Sequence, residues 1–320
     1  MDHFTTHFVS PLLTQHSLAY TNPASSYISE KVFPIVQVKK DTGQIATYTM
    51  DNLRIEEAFR APGGGTKEVN HSVSIGAHYV LAEQALKEFV TLEDIQNADD
   101  PIRPEMDAVE QLLDRLWVIK EKKLADTLSA TGTMTQNTTL TGTDQWNNHN
   151  TSDPLGDIKT GRESVRQNSG KIANSIILSH DAWEELLIHP DILARFPGAP
   201  AVTFEMIMAN LGRLFGPGIS NLWVGSAQYN NADEGAADSL TDLWSKVCVV
   251  AYIDNRPSLR SRSLGFTYQN SASRVVDVLA MNSGAHETWD RKGKFVRVTD
   301  KFDQQLVDVN CGYLVKNCIA

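Results

Sequence analysis

The chain has 320 residues, with 29 Lys and Arg against 39 Asp and Glu, a formal net charge of −10. Apolar residues make up 41% and charged residues 21%, the proportions of a folded protein rather than a disordered one. The length allows about two domains, and the acid excess excludes a chain built to grip nucleic acid through Lys/Arg patches. No stretch approaches 18 apolar residues, and the N-terminus lacks the basic and apolar regions of a secretory leader, so cytoplasmic synthesis without a membrane span is expected. The Asn-x-Ser/Thr strings at Asn70, Asn137 and Asn150 then lack a secretory setting. The 3 cysteines form no CxxC pair; Cys248, inside Val247–Ala251, reads as a buried free thiol, and a disulfide between Cys311 and Cys318 is not expected.

In chain order, residues 1–36 form a weakly patterned arm whose apolar residues (Phe4, Phe8, Val9, Leu12, Leu13, Tyr20) show no sustained period. Such an arm packs on another subunit or on a distant part of its own chain. Tyr27–Pro34 reads as extended. Residues 43–50 alternate like a strand, and 68–75 alternate again after the breaker cluster Ala61-Pro62-Gly63-Gly64-Gly65. This predicts a long two-stranded excursion with a flexible middle and too few apolar residues to stand alone in water. Ala82–Asn97 reads as helical from Leu81, Ala85, Leu86, Phe89, Leu92 and Ile95, and Asp99-Asp100-Pro101 marks a further helix start. Met106, Val109, Leu112, Leu113, Leu116 and Leu124 predict a long helix over 104–128, roughly 37 Å at about 1.5 Å per residue.

Residues 129–153 read as a loop or short hairpin anchored by Trp146. From Ser152-Asp153-Pro154, alternating helices and strands predict an α/β unit over 152–255. It holds a helix ending at Gly170, a strand at 174–179, a helix capped by Ser179, a helix over 203–215, and strands at 221–227 and 246–253. The last 60 residues read as β-rich, with strands at 264–268, 275–279, 294–298, 305–309 and 312–318.

Catalytic signatures are missing from this sequence. Gly170-Lys171 lacks the rest of a phosphate-binding loop, Gly63-Gly64-Gly65 does not sit between a strand and an amphipathic helix, and Val224-Gly225-Ser226 lacks the second Gly of a nucleophile elbow. His180 and Glu184 have ligand-compatible spacing but no third group, and His71 and His78 fall on opposite faces of a regular strand. Acidic pairs such as Glu56-Glu57 read as solvated faces. Lys67 beside the glycine cluster reads as a solubilising residue rather than one forming an isopeptide bond. No catalytic, cofactor-binding or metal-binding residue is expected.

The order of parts, with Asp153-Pro154-Leu155-Gly156-Asp157-Ile158, Asp181-Ala182-Trp183, His189-Pro190, Gly293–Val298 and the closing Gly312–Asn317, resembles the major capsid protein family of tailed bacteriophages with the Hong Kong 97-type fold. The resemblance spans about residues 25–320 and implies an α+β fold. An N-terminal arm would occupy 1–40 and an extended β-hairpin loop 41–80. A peripheral domain with a long spine helix would take 81–150 and 265–305, and an α/β axial domain 151–264 and 306–320. It implies self-assembly as hexamers and pentamers into an icosahedral shell around double-stranded DNA, within the virion, without sequence-specific DNA binding. Inter-subunit contacts would come from Phe4, Phe8, Glu56, Glu57, Arg60, Gly63, Gly64, Gly65 and Lys67. Met106, Val109, Leu113 and Leu116 would form the spine-helix core. The chain shows no long helical segment before the arm, so the expectation is a separate scaffolding protein or none. Portal and cement proteins are implied partners, and no Lys–Asn cross-link is expected. The acidic balance suits a wall to which DNA does not adhere. An encapsulin-type shell and a soluble α/β enzyme with its site in 152–260 are the alternatives.

Overall fold

The computed structural model describes residues 7–9, 11–19, 27–99, 102–196, 203–254, 256, 262–270, 274–280 and 293–320. Its elements begin with β1 (His7–Val9), α1 (Pro11–Ala19), α2 (Ser29–Val32), β2 (Ile35–Val38), β3 (Thr42–Tyr48), β4 (Val73–Val80), β5 (Ala82–Thr91), α3 (Leu92–Asn97) and α4 (Pro104–Ser129). They continue with β6 (Asn137–Thr139), α5 (Pro154–Ser169), β7 (Ser175–Ser179), α6 (His180–Ile188), α7 (Pro190–Leu193), α8 (Phe204–Ala209), α9 (Leu211–Leu214), β8 (Asn221–Gly225), β9 (Gln228–Asn230) and β10 (Leu240–Asp242). The chain closes with β11 (Val247–Ala251), β12 (Gly265–Asn270), β13 (Val275–Ala280), β14 (Gly293–Leu306) and β15 (Gly312–Lys316).

Two sheets organise these elements. In the first, β14 carries β5 along one edge and β13 and β12 along the other, with β1 beyond β13 and β2 beyond β12. The second has the order β6-β15-β11-β7-β8. Its central strands β7 and β11 are buried at every position, which is why both read as continuous rather than alternating apolar runs. Cys248, Cys311 and Cys318 are buried free thiols, and burial pushes the Cys311 thiol up to about 12.

Several expectations are corrected. Ala82–Asn97 is mainly strand: β5 pairs with β14 from Ala82 opposite Phe302 to Thr91 opposite Gly293. Leu86 and Val90 face the core and Phe89, on the other face, meets Phe295 across the ladder at 4.9 Å; four-residue spacings such as Ala85–Phe89 fit one face of a strand as well as of a helix, and the partner strand decides between them. Tyr27–Pro34 is not extended throughout, because it contains the helical turn α2. The long helix begins at Pro104 behind Arg103, which makes no side-chain cap; Asp100 and Pro101 lie outside the described residues. The helix expected over 203–215 is broken at Asn210 into α8 and α9. In place of the two strands expected at 294–298 and 305–309 there is one, β14, ending at Leu306; its ladder with β5 carries it through Asp300 and Lys301, between the stretches that pair with β13 and β12 on the other edge. Ser179 does not cap α6; its hydroxyl instead accepts a hydrogen bond from the Val247 N–H at 3.2 Å, tying β7 to β11. Asp153 does cap α5, accepting from the Gly156 N–H at 2.8 Å, and Gly170 closes that helix at φ 67°.

Helix α4 serves both sheets. Val109, Leu112, Leu113 and Leu116 pack with Val276, Val278, Val296 and Val298 of the first sheet. Further along the helix, Leu124, Ala125 and Leu128 join Ile177, Val249 and Leu314 of the second. Between these sets lies Glu121, fully buried. Its carboxylate accepts from the backbone N–H of Ile28 at 3.2 Å and of Ser29 at 2.8 Å, and from the Trp244 indole N–H at 2.6 Å. These bonds start α2 and join the N-terminal segment, the helix and the β10–β11 connection at one point. Burial raises the Glu121 pKa, and the three donors oppose that shift. The neighbouring Lys120, also buried, pairs with Glu30 at 2.8 Å.

A second buried polar group fixes the His189-Pro190 step. The Ser152 hydroxyl donates to the Asn148 carbonyl at 2.8 Å, so it accepts from His189 Nε2–H at 3.0 Å. His189 Nδ1 then accepts from the Asp191 N–H at 3.3 Å and caps α7, which assigns the neutral tautomer from the network. Burial holds this imidazole below its ordinary value, outweighing Asp191, Asp153 and Glu185, while His149 adds to the depression.

Replacing Glu121 with Ala orphans buried donors that each cost about 1–3 kcal/mol. Glu121→Ala is therefore expected to lower the unfolding free energy by about 3–5 kcal/mol. An unchanged denaturant midpoint for the unassembled chain would show that the clamp carries no stability. For His189, a depressed folded pKa means that the neutral ring is favoured in the fold. Its contribution is complete above the unfolded value near 6.5 and is lost as pH falls through the lower folded value. His189→Asn keeps an acceptor for the Asp191 N–H but does not titrate. Its melting temperature is expected to fall less than the parent's between about pH 7.5 and about pH 5. An equal fall in both chains would place the pH sensitivity elsewhere.

Candidate assembly interface

The β3–β4 excursion has a rigid root and an unsupported tip. At the root, Tyr79 stacks on Tyr268 with ring centroids 4.7 Å apart and planes 11° from parallel. Ile45, Val36, Val38, Leu81 and Phe266 complete the cluster around this stack. Position 43 must be glycine for this packing, since a Cβ there would lie 2.5 Å from the Tyr79 hydroxyl. The Val80 N–H donates to Asp303 at 3.0 Å, and Asp303 also meets Lys123 of α4 at 3.2 Å. The excursion is therefore held to β12, β14 and the long helix.

Beyond β3 a short 3-10 turn (Met50–Leu53) follows. The Asn52 side chain closes the loop neck, donating to the Ser72 carbonyl at 2.8 Å and accepting from the Ser72 N–H at 2.9 Å. From residue 51 to residue 71 every position except Gly64 is exposed. The exposed set includes large apolar side chains: Ile55 is 101% exposed, Phe59 87% and Leu53 63%. Burying an Ile or Phe side chain fully is worth about 1.5–3 kcal/mol, so the free subunit leaves a sizeable driving force unused at this loop.

Glu56 and Lys67 form an ion pair across the loop, and the Lys67 ammonium holds the Glu56 carboxyl below its usual range. Arg60 Nε donates to the Gly64 carbonyl at 2.5 Å, and the Gly64 N–H returns to the Ala61 carbonyl at 2.9 Å. Gly63, at φ 83°, makes that turn possible. Glu57 and Gly65 are exposed near them. The expected loop contacts Glu56, Glu57, Arg60, Gly63, Gly64, Gly65 and Lys67 thus share one exposed segment, with Glu56–Lys67 and Arg60–Gly64 engaged locally. Ile55 and Phe59 were not singled out from the sequence, although three large apolar residues, Leu53, Ile55 and Phe59, in the mainly polar stretch 51–60 were the available signal.

The arm is drawn partly onto its own chain. The backbone of Phe8 in β1 pairs opposite Val278 of β13, and Leu13 of α1 is buried with the N-terminal half of α4. Phe4 lies outside the described residues. Of the expected spine-helix core, Val109, Leu113 and Leu116 are buried and Met106 is half-buried. Among the described residues, no group of three or more His, Cys, Asp or Glu is placed to hold a metal ion, and no helix is long and apolar enough to cross a membrane.

No family model matches the chain. It is 27% identical over 319 residues to a major capsid protein of Burkholderia phage BcepMu, covering 96% of this chain and 95% of that one. A phage-related protein from Bordetella bronchiseptica superposes with a TM-score of 0.74 at 24% identity, covering 98% of both chains. An encapsulin complex from Synechococcus elongatus has a chain of the same fold, with a TM-score of 0.53 at 10% identity and coverage of 95% and 94%. The arm, β-hairpin loop, long helix bridging two sheets and these comparisons converge: the chain has the Hong Kong 97-type α+β fold and is similar over nearly its whole length to a phage major capsid protein.

Proposed function

We propose that the protein assembles through its extended loop and arm, as hexamers and pentamers, into the icosahedral head that encloses a tailed phage's double-stranded DNA genome. It is a structural protein of the virion capsid and not an enzyme. The observation that carries the loop's role is the contrast between the buried root at Tyr79 and the exposed tip at Ile55 and Phe59. A hairpin whose base is fixed and whose apolar tip has no cover in its own subunit is built to be covered by a neighbour.

The proposed division keeps residues 1–40 as arm and 41–80 as loop. Residues 81–150 and 265–305 form the peripheral part, and 151–264 and 306–320 the axial part. The pairing of β6 with β15 and the burial of Trp146 with the second sheet favour counting 137–150 with the axial part. A separate scaffolding protein, a portal and cement proteins are proposed partners. The encapsulin reading shares the fold, and the phage reading is preferred for the full-length capsid relative.

Electron microscopy of the purified chain, alone and co-expressed with its gene neighbours, is expected to show shells, tubes or capsomers. A strictly monomeric product under every condition would refute assembly, and a protein cargo inside empty-genome shells would favour the encapsulin reading. Deleting residues 54–67, which leaves the Tyr79–Tyr268 root intact, is expected to give a folded chain of near-parental melting temperature that assembles poorly. Normal assembly of that variant would remove the loop from the mechanism.

A further inference from the structure

A groove of about 390 Å³ lies at the N-terminal end of α4, where α1, α3 and the α3–α4 connection converge. Leu12, Ile95, Ile102 and Met106 supply its apolar wall, and Leu12 and Ile102 are 64% and 59% exposed. Arg103 stands on its rim, while the Glu105 beside it is paired with Lys294 at 2.6 Å. The groove therefore offers apolar surface with a cationic edge. No loop, sheet edge or helix among the described residues fills it.

We propose that this groove receives the loop tip Ile55–Phe59 of a neighbouring copy, with Ile55 and Phe59 entering the apolar wall and Glu57 meeting Arg103. The proposal rests on the shell reading above and names the surface that the loop would cover. Three observations support it. First, the tip has matching chemistry: two exposed apolar side chains flank an exposed carboxylate, while Glu56 is already taken by Lys67. Residues 55–60 are neither helix nor turn, and a neighbour's surface that draws them into an extended conformation would set residues 55, 57 and 59 on one side. Secondly, the loop of the same chain leaves in the wrong direction. Leu53 lies against Gly170 at the end of α5, and Met50 Sδ is 2.9 Å from Arg262. Arg262 adjoins Leu264, which packs with Leu124 and Leu128 at the C-terminal end of α4. The groove is at the other end of that 26-residue helix, roughly 27–36 Å away at about 1.5 Å per residue. Thirdly, the tip and the groove each expose large apolar side chains in the free subunit, so joining them removes two exposed patches at once.

The test places the photo-cross-linker benzoylphenylalanine at position 59 in the full chain, assembled as a mixture of light and nitrogen-15-labelled copies. Irradiated shells are expected to give mixed-isotope adducts on peptides containing Leu12, Ile95, Ile102 or Met106. Adducts within one copy, or between copies but at other surfaces, would overturn the assignment while leaving the shell reading standing. Failure of the parent chain to form shells would overturn both. In parallel, Ile102→Asp, at an exposed position, is expected to keep the parental melting temperature and lower shell yield at least tenfold. Arg103→Glu is expected to weaken assembly and to be partly rescued by Glu57→Arg in the same chain. Parental shell yield from Ile102→Asp would overturn the proposal. Reduced yield together with adducts from position 59 to elsewhere would give the groove to another occupant, such as the arm, and overturn it too.

Discussion

The buried carboxylate of Glu121 is the interaction on which the arrangement of the subunit depends. A full negative charge removed from water is costly unless its oxygens are satisfied. Here the Ile28 and Ser29 N–H groups and the Trp244 indole satisfy it. Glu121 and these donors come from three distant parts of the chain. Satisfying one charge therefore brings the segment after the arm, the long helix and the second sheet's surroundings into one geometry. The cost of leaving any donor unpaired makes the geometry specific, and apolar packing alone would not fix it so tightly.

That fixed point lies on a helix belonging to two cores. The N-terminal half of α4 is buried by valines of the first sheet, and its C-terminal half by the strands of the second. The two sheets are thereby held by a rod rather than by a flexible linker. This is a physical requirement for a shell subunit, because contacts at one end must set the position of the other. The loop root follows the same logic, since Asp303 links Val80 to Lys123 and so attaches the hairpin base to that rod. That attachment ends at the Asn52–Ser72 neck, and beyond it Glu56 pairs with Lys67 and Arg60 with the Gly64 carbonyl inside the loop.

Much of this organisation was legible in the sequence. The 3.6-residue period of Val109, Leu113 and Leu116 pointed to the long helix, since amphipathicity sustained over that many turns fits neither a strand nor a loop. The Asp153 cap and Gly170 stop marked α5, and the glycine cluster at 63–65 marked the loop tip. Other features were hidden. Glu121 sits in the run Lys120-Glu121-Lys122-Lys123, which reads as a solvated face, and only distant donors reveal its role. Strand β5 has an apolar pattern that fits both a helix and a strand, and its type depended on β14, far along the chain.

Read alone, the sequence was enough for the local elements with strong periods or caps, and for the order of parts that marks a capsid subunit. Both are encoded in near neighbours along the chain, where spacing and turn chemistry act directly. Three-dimensional packing was needed to settle which polar groups are buried, which ambiguous segment becomes a strand, and which apolar side chains find no cover in the subunit. Burial and pairing are properties of residues far apart in sequence. For the same reason Ile55 and Phe59 could be recognised as an unfinished contact only once the rest of the subunit had been seen to leave them exposed.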